Sequence, residues 1–330
     1  MTNHQINVDV QEIANIPHKM SFGGELFTLS DGTLFVLGKN SWCTFDGAFV
    51  VEPKTGGVRE IDVPIEGSFQ AISIGNDTFL LLDRKTGEMC MWNILCSSFD
   101  VIDSKSGPGQ WVAHDSCDGI LYILANLDLS GSDGGFDYEQ HVSCMGMFDL
   151  KSRLFLGEFK PVKGHDTRGM VVQNNKRLIA VGYGRRYPFA IHASMEFEEI
   201  DSISFQHDDG LRFIGRDSQN ALLALCSDDT TYALTYIHGQ SRKGKVLWTY
   251  SARGRNYLLF SAAIRMGRDK QLLFFLGKKE VHRVLLYTAG VGVEFMGLLS
   301  NIPISCGVQG LDGDVYVAGG GVVTRLNFRN

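Results

Sequence analysis

The stretch DGTLFVLG at positions 31–38 sets a turn before a run of apolar side chains and closes it with glycine, and the plan returns six more times. It reads NDTFLLLD from Asn76, DGILYILA from Asp118, NKRLIAVG from Asn175, QNALLALC from Gln219, KQLLFFLG from Lys270 and DGDVYVAG from Asp312. The steps are 45, 42, 57, 44, 51 and 42 residues. Recurrence at that length marks supersecondary units that bury their faces against neighbours of the same kind. Asp31 has 30 residues before it and Asp312 has 18 after it, together about one more repeat. A chain that closes on itself is expected.

Each phrase is shorter than an ordinary helix, rich in Leu, Val, Ile, Phe and Tyr, and bounded by Gly, Asp or Asn. That composition describes a strand buried on both faces and entered from a tight turn. An apolar segment precedes each phrase, such as SFQAISI before Asn76 or GMVVQ before Asn175. Two more follow it around a polar hairpin, as in AFVVEPKTGGVREIDV and MGMFDLKSRLFLGEF. Four strands per unit and seven units imply an all-β, seven-bladed β-propeller over residues 1–330, with the inner strands lining a central channel. The last unit runs out of chain before its outermost strand. The alternating segment Gln5–Ile13 is expected to supply it and so cover an edge that would otherwise invite aggregation.

The pattern resembles the kelch-like and WD-type propellers over nearly the whole chain. Gly319-Gly320 matches the kelch glycine doublet, while Gly38-Lys39, Gly182-Tyr183 and Gly277-Lys278 keep one glycine each. The phrases FVVEPKTGG from Phe49 and MFDLKSRLF from Met147 look like the kelch strand-turn-strand, without the usual Tyr and Trp pair. No blade ends in a Trp-Asp dipeptide. The resemblance implies a shape and carries no functional residues.

Composition narrows the partners. MTNHQINVDVQEIANIP lacks the basic start and apolar run of a secretory leader, and no run of 18 apolar residues exists to span a membrane. Seven cysteines without a CxxC pair fit reduced thiols and a cytoplasmic setting. Residues 1–165 hold 11 Lys and Arg against 22 Asp and Glu, a net −11; residues 166–330 hold 20 against 15, a net +5. Such a split would orient an approaching partner. The basic side chains are too sparse for the dense stripe that nucleic acid requires.

The variable loops lie between blades and between second and third strands, where function tends to sit. They carry Trp42, Phe136, Tyr138, Arg185, Arg186 and Tyr187, residue types that anchor protein partners. The loop Asn126–Gln140 accounts for the 57-residue step. Its Asp128, Ser130, Ser132 and Asp133 are oxygen-rich, but Asp133 stands where a calcium loop needs glycine.

His18, His165 and His207 precede their phrases by 13, 10 and 12 residues, near the entry to an inner strand. Asp166, Asp208 and Asp209 follow two of them, a combination that could share a proton or, with His18, hold a metal. His114-Asp115 stands apart, at the far end of its inner strand. No GxSxG, HExxH, phosphate loop or sialidase Asp box occurs, and the lone Gly319–Gly321 run reads as a turn.

The residues therefore point to a binding module for another protein, of scaffold or of inhibitor and immunity type, with no cofactor. The alternative is a lyase or hydrolase working at the channel mouth through His165, His207 and their carboxylates. A small molecule in the channel is a third use of the same shape.

Overall fold

A computed structural model describes residues 7–17, 24–39, 45–65, 69–83, 88–102, 110–128, 141–156, 160–163, 166–174, 177–183, 188–194, 199–206, 210–252 and 257–328. The chain is a seven-bladed β-propeller of four-stranded antiparallel blades. The blades span 25–60, 69–102, 110–163, 166–202, 210–251 and 259–300, and the seventh combines 306–328 with the strand Val8–Asn15. Among the described residues the one helical element is a 3-10 turn at Lys278–Glu280. In blade 3 the outer strand is divided into Leu154–Phe155 and Lys160–Lys163, both pairing with the third strand.

The recurring phrase is the second strand of every blade, and it is buried as its composition requires. Leu34–Leu37, Leu178–Val181 and Val315–Ala318 are each at most 2% exposed. Alternation sends successive side chains to opposite neighbours. From blade 7, Tyr316 and Ala318 join Leu34, Val36 and Phe49 of blade 1, whereas Val315 and Val317 join Ile264, Leu272 and Phe274 of blade 6. Burying one such leucine or phenylalanine contributes about 2 kcal/mol. Within each unit the core is thus a set of apolar layers between neighbouring blades, 6 with 7 and 7 with 1 in one unit and 3 with 4 and 4 with 5 in the other.

The turns before these strands need left-handed backbone. Asn76 and Asp77 have φ of 51° and 57°, and Asp118 and Gly119 have 52° and 79°. Two consecutive positive values are the two-residue hairpin that matches strand twist and selects Asn, Asp and Gly. Blades 1 and 7 use a longer loop, in which the Asp31 carboxylate accepts the Thr33 amide at 2.9 Å and that of Asp312 accepts the Asp314 amide at 3.1 Å.

The structure divides into two compact units. One comprises Met1–Phe79, Trp92–Ser98 and Arg255–Asn330; the other comprises Leu80–Met91 and Phe99–Gly254. In the first unit the amino-terminal strand completes blade 7, pairing Val8 with Phe328 through to Asn15 with Val322. Gln5 and Ile6 lie outside the described residues, and the strand runs two residues beyond the expected Ile13. The reason is a bulge: the register skips Ile13, and pairing resumes at Ala14. The Ile13 carbonyl comes so close to Gly56 that a Cβ there would sit 2.5 Å from it, at a backbone φ of 74°. The amide of Ile16 continues the ladder to the Gly321 carbonyl at 2.7 Å.

Candidate functional site

Turns joining first to second and third to fourth strands share one end of each blade, and in the first unit they are tied together across blades 6, 7, 1 and 2. Gln309, the last residue of the first strand of blade 7, is the hub. Its side-chain oxygen accepts the Gly267 amide of blade 6 at 3.0 Å, its side-chain nitrogen donates to the Gly313 carbonyl at 3.0 Å, and its backbone carbonyl accepts the Thr28 hydroxyl of blade 1 at 3.0 Å. From blade 1, Ser30 donates its amide to the Asp77 carboxylate of blade 2 at 2.8 Å and its hydroxyl to the other oxygen. The Ala289 amide joins the two turns of blade 6 by donating to the Asp269 carbonyl at 2.8 Å.

This stitched end carries a cleft of about 300 Å³ where the turns of blades 7 and 1 meet. Asp31, Glu52, Lys54, Leu311, Asp312 and Tyr316 line it. Tyr316 is the floor, 2% exposed, and donates its hydroxyl to Asp312 at 2.6 Å. Burial, reinforced by the Asp312 carboxylate, pushes the Tyr316 phenol far above its ordinary range, so it stays neutral. Asp312 spends one oxygen on that hydroxyl and the other on the Asp314 amide. Asp314 in turn pairs with Arg325.

The upper rim is less committed. Asp31 uses Oδ1 for the amide and hydroxyl of Thr33, leaving Oδ2 open, and neither Glu52 nor Lys54 makes a side-chain hydrogen bond or ion pair among the described residues. Leu311 stands over the cleft, 68% exposed. It holds the place that Ser30 has in the corresponding loop of blade 1 and Ser218 has in that of blade 5. Val291, in the hairpin between third and fourth strands of blade 6, is 85% exposed. Two large apolar side chains thus stand exposed on turns at the same end of adjacent blades.

In the second unit a polar cluster among the described residues joins the first strands of three consecutive blades. Asp115 of blade 3 is 6% exposed and takes the Val172 amide of blade 4 at 2.8 Å. Its other oxygen meets Arg216 of blade 5 at 2.8 Å, and the same guanidinium donates to the Ser116 carbonyl at 2.9 Å. His114, next in sequence, touches solvent yet is hemmed in by protein. That desolvation, and then the Arg216 charge, hold its imidazole down at about 4. It is neutral at physiological pH and suited to accepting a hydrogen bond rather than to pairing with an anion.

The residues expected from sequence to bind a partner, Trp42, Phe136, Tyr138, Arg185, Arg186 and Tyr187, lie outside the described residues. So do His18, His165, His207, Asp208 and Asp209. Of Asp166 the backbone is described, opening the first strand of blade 4 opposite Tyr183. Among the described residues no three His, Cys, Asp or Glu side chains are grouped to hold a metal ion. No described helix is long and apolar enough to cross a membrane. The cleft was not singled out from sequence, and His114-Asp115 was named there only as standing apart from the other His-Asp pairs, without its partner Arg216. The odd apolar residue in an otherwise polar turn phrase, Gly310-Leu311-Asp312, was the available signal for the cleft.

No family model matches the chain, and no curated protein matches its sequence. Solved structures do match in fold. A streptogramin B lyase structure is similar with a TM-score of 0.64, 10% identity and 98% of each chain covered. A chain of a mitotic checkpoint complex is similar at 0.60, with 10% identity over 99% of this chain and 96% of that one. The WD40 repeats of RRP9 are similar at 0.54, with 11% identity over 97% and 100%. At such identities the likeness establishes the propeller and leaves the chemistry to the residues.

Proposed function

We propose that the chain is a protein-binding propeller that presents the turn end of blades 6, 7, 1 and 2 to another protein, as a scaffold or as an inhibitor that caps its target. The observation that carries this reading is the pair Val291 and Leu311, the two most exposed large apolar side chains among the described residues, at 85% and 68%. Both stand on turns locked by cross-blade hydrogen bonds through Gly267 and Gln309. A surface already rigid before contact loses little entropy when a partner arrives. The structural neighbours include the WD40 repeats of RRP9 and a chain of a mitotic checkpoint complex, and the latter supports a role in assemblies. Trp42, Arg185, Arg186 and Tyr187 belong to loops between second and third strands and would serve a second partner.

Affinity purification with the intact chain and with a Val291→Asp, Leu311→Asp variant tests the reading. Both sites are solvent-facing, so the variant should melt as the intact protein does. Proteins retained by the intact chain and missing from the variant support a docking surface here; identical sets refute it.

A further inference from the structure

Resting on that reading, we infer that the cleft between the turns of blades 7 and 1 receives an arginine side chain from a segment of the partner protein. Three observations converge on this occupant. The lining holds three carboxylates, Asp31, Glu52 and Asp312, against the single ammonium of Lys54, which leaves a net −2. Two of those carboxylates retain acceptors: Oδ2 of Asp31 and both carboxylate oxygens of Glu52 make no hydrogen bond among the described residues. The third, Asp312, is fully engaged by Tyr316 and Asp314, so it contributes field and not a hydrogen bond.

The apolar part of the lining completes the match. Leu311 and Pro53 border the same space, and Leu311 is 68% exposed where the equivalent loop positions of blades 1 and 5 are serine. An arginine has the corresponding two parts, a three-carbon stem that covers apolar surface and a planar head that donates to carboxylates. A volume of about 300 Å³ holds one such side chain with some water. The turns that would grip it are held by hydrogen bonds from the Gln309 side chain to the Gly313 carbonyl and from Thr33 to the Asp31 carboxylate, so the acceptors are in place beforehand. Lys54 is exposed and unpaired among the described residues, free to swing into solvent as a second cation enters.

The test is a titration of the full chain with the blocked peptide acetyl-Leu-Arg-Leu-amide at low salt, read by amide NMR shifts of Gly32, Gly310 and Gly313. The expected result is a saturable shift at those glycines, abolished when arginine is replaced by its neutral isostere citrulline. Glu52→Gln should weaken binding about tenfold, the loss of one charge-assisted hydrogen bond, with the melting temperature unchanged because the Glu52 carboxylate makes no such bond among the described residues. Equal shifts with the citrulline peptide, or unchanged affinity in Glu52→Gln, overturn the inference. Free arginine binding as tightly as the peptide also overturns it, because the cleft would then serve a small molecule. If Val291→Asp, Leu311→Asp abolishes partner capture while Glu52→Gln leaves it intact, the docking surface stands and the arginine assignment falls.

Discussion

Arg216 of blade 5 reaches past blade 4 to meet Asp115 of blade 3 at 2.8 Å, and Asp115 also takes the Val172 amide of the blade between them. A buried carboxylate here does the work of a clasp on three first strands. Such an arrangement is expensive to break from one side, because the surviving partner is left unpaired in a low-dielectric site. Asp115→Ala is expected to lower unfolding stability by about 3 kcal/mol, and Arg216→Ala by less because the surviving Asp115 carboxylate keeps the Val172 and Ser116 amides as donors. The Asp115→Ala, Arg216→Ala double variant should lose less than the sum, since the pair is coupled. Urea unfolding of the three variants measures this, and additive losses would show that the two residues act separately.

Removing residues 1–16 takes away the outer strand of blade 7, including buried Ala14 and Ile16. A loss of about 4 kcal/mol, or roughly 10 °C in melting temperature, is expected from seven lost register pairs and the uncovered layer. A synthetic peptide of residues 7–17 should restore part of it when added in excess. An unchanged melting temperature in the truncated chain would contradict the pairing.

Gly319 opens the Gly319–Gly321 run, and a Cβ there would lie 2.6 Å from the Pro303 carbonyl oxygen. The obstacle is backbone, which yields less readily than a side-chain tip. Gly319→Ala should cost about 2 kcal/mol, seen as a lower urea midpoint. Gly215→Ala, where nothing lies within 4 Å of the new methyl, is the matched control and should be nearly neutral.

Acid should destabilise the fold through His282, which is 2% exposed. Burial holds its imidazole down at about 4 from 6.5, against a smaller upward pull from the Ile302 backbone. Above pH 6.5 the ring is neutral in both folded and unfolded chains and adds no pH dependence. Between 6.5 and about 4 only the unfolded chain takes the proton, so stability falls with pH, by on the order of 3 kcal/mol when complete. His282→Gln removes this component. Its urea midpoint should change less than that of the parent between pH 7 and pH 4.5, and parallel curves would sink the assignment.

The second strands were legible because each must be apolar on both faces and must follow a turn that only Asp, Asn or Gly enters cheaply. Blade closure was legible for a similar reason, since seven phrases left one strand missing at one end and one spare at the other. Its register was not, because the bulge at Ile13 depends on the Gly56 turn of a different blade. The cleft was hidden in the same way. Leu311 reads as one apolar residue in a turn until blade 7 is set beside blade 1 and brings it against Gly32, whose Cβ position lies 3.8 Å from its methyl. Asp115 and Arg216 are 101 residues apart, and first strands carry several other polar side chains, such as Glu25, Arg168 and Arg212, so nothing in the sequence marks these two as partners.

The strand Val8–Asn15 is made on the ribosome before any other described strand, yet its hydrogen-bonding partner is Val322–Phe328. At roughly 5–20 residues per second it must wait some tens of seconds for that partner to appear. During synthesis its apolar positions and those of the unfinished sheets are exposed together. Nascent chains of this protein are therefore expected to depend on holding factors from the emergence of Val8–Asn15 until Val322–Phe328 has left the exit tunnel, when blade 7 can lock.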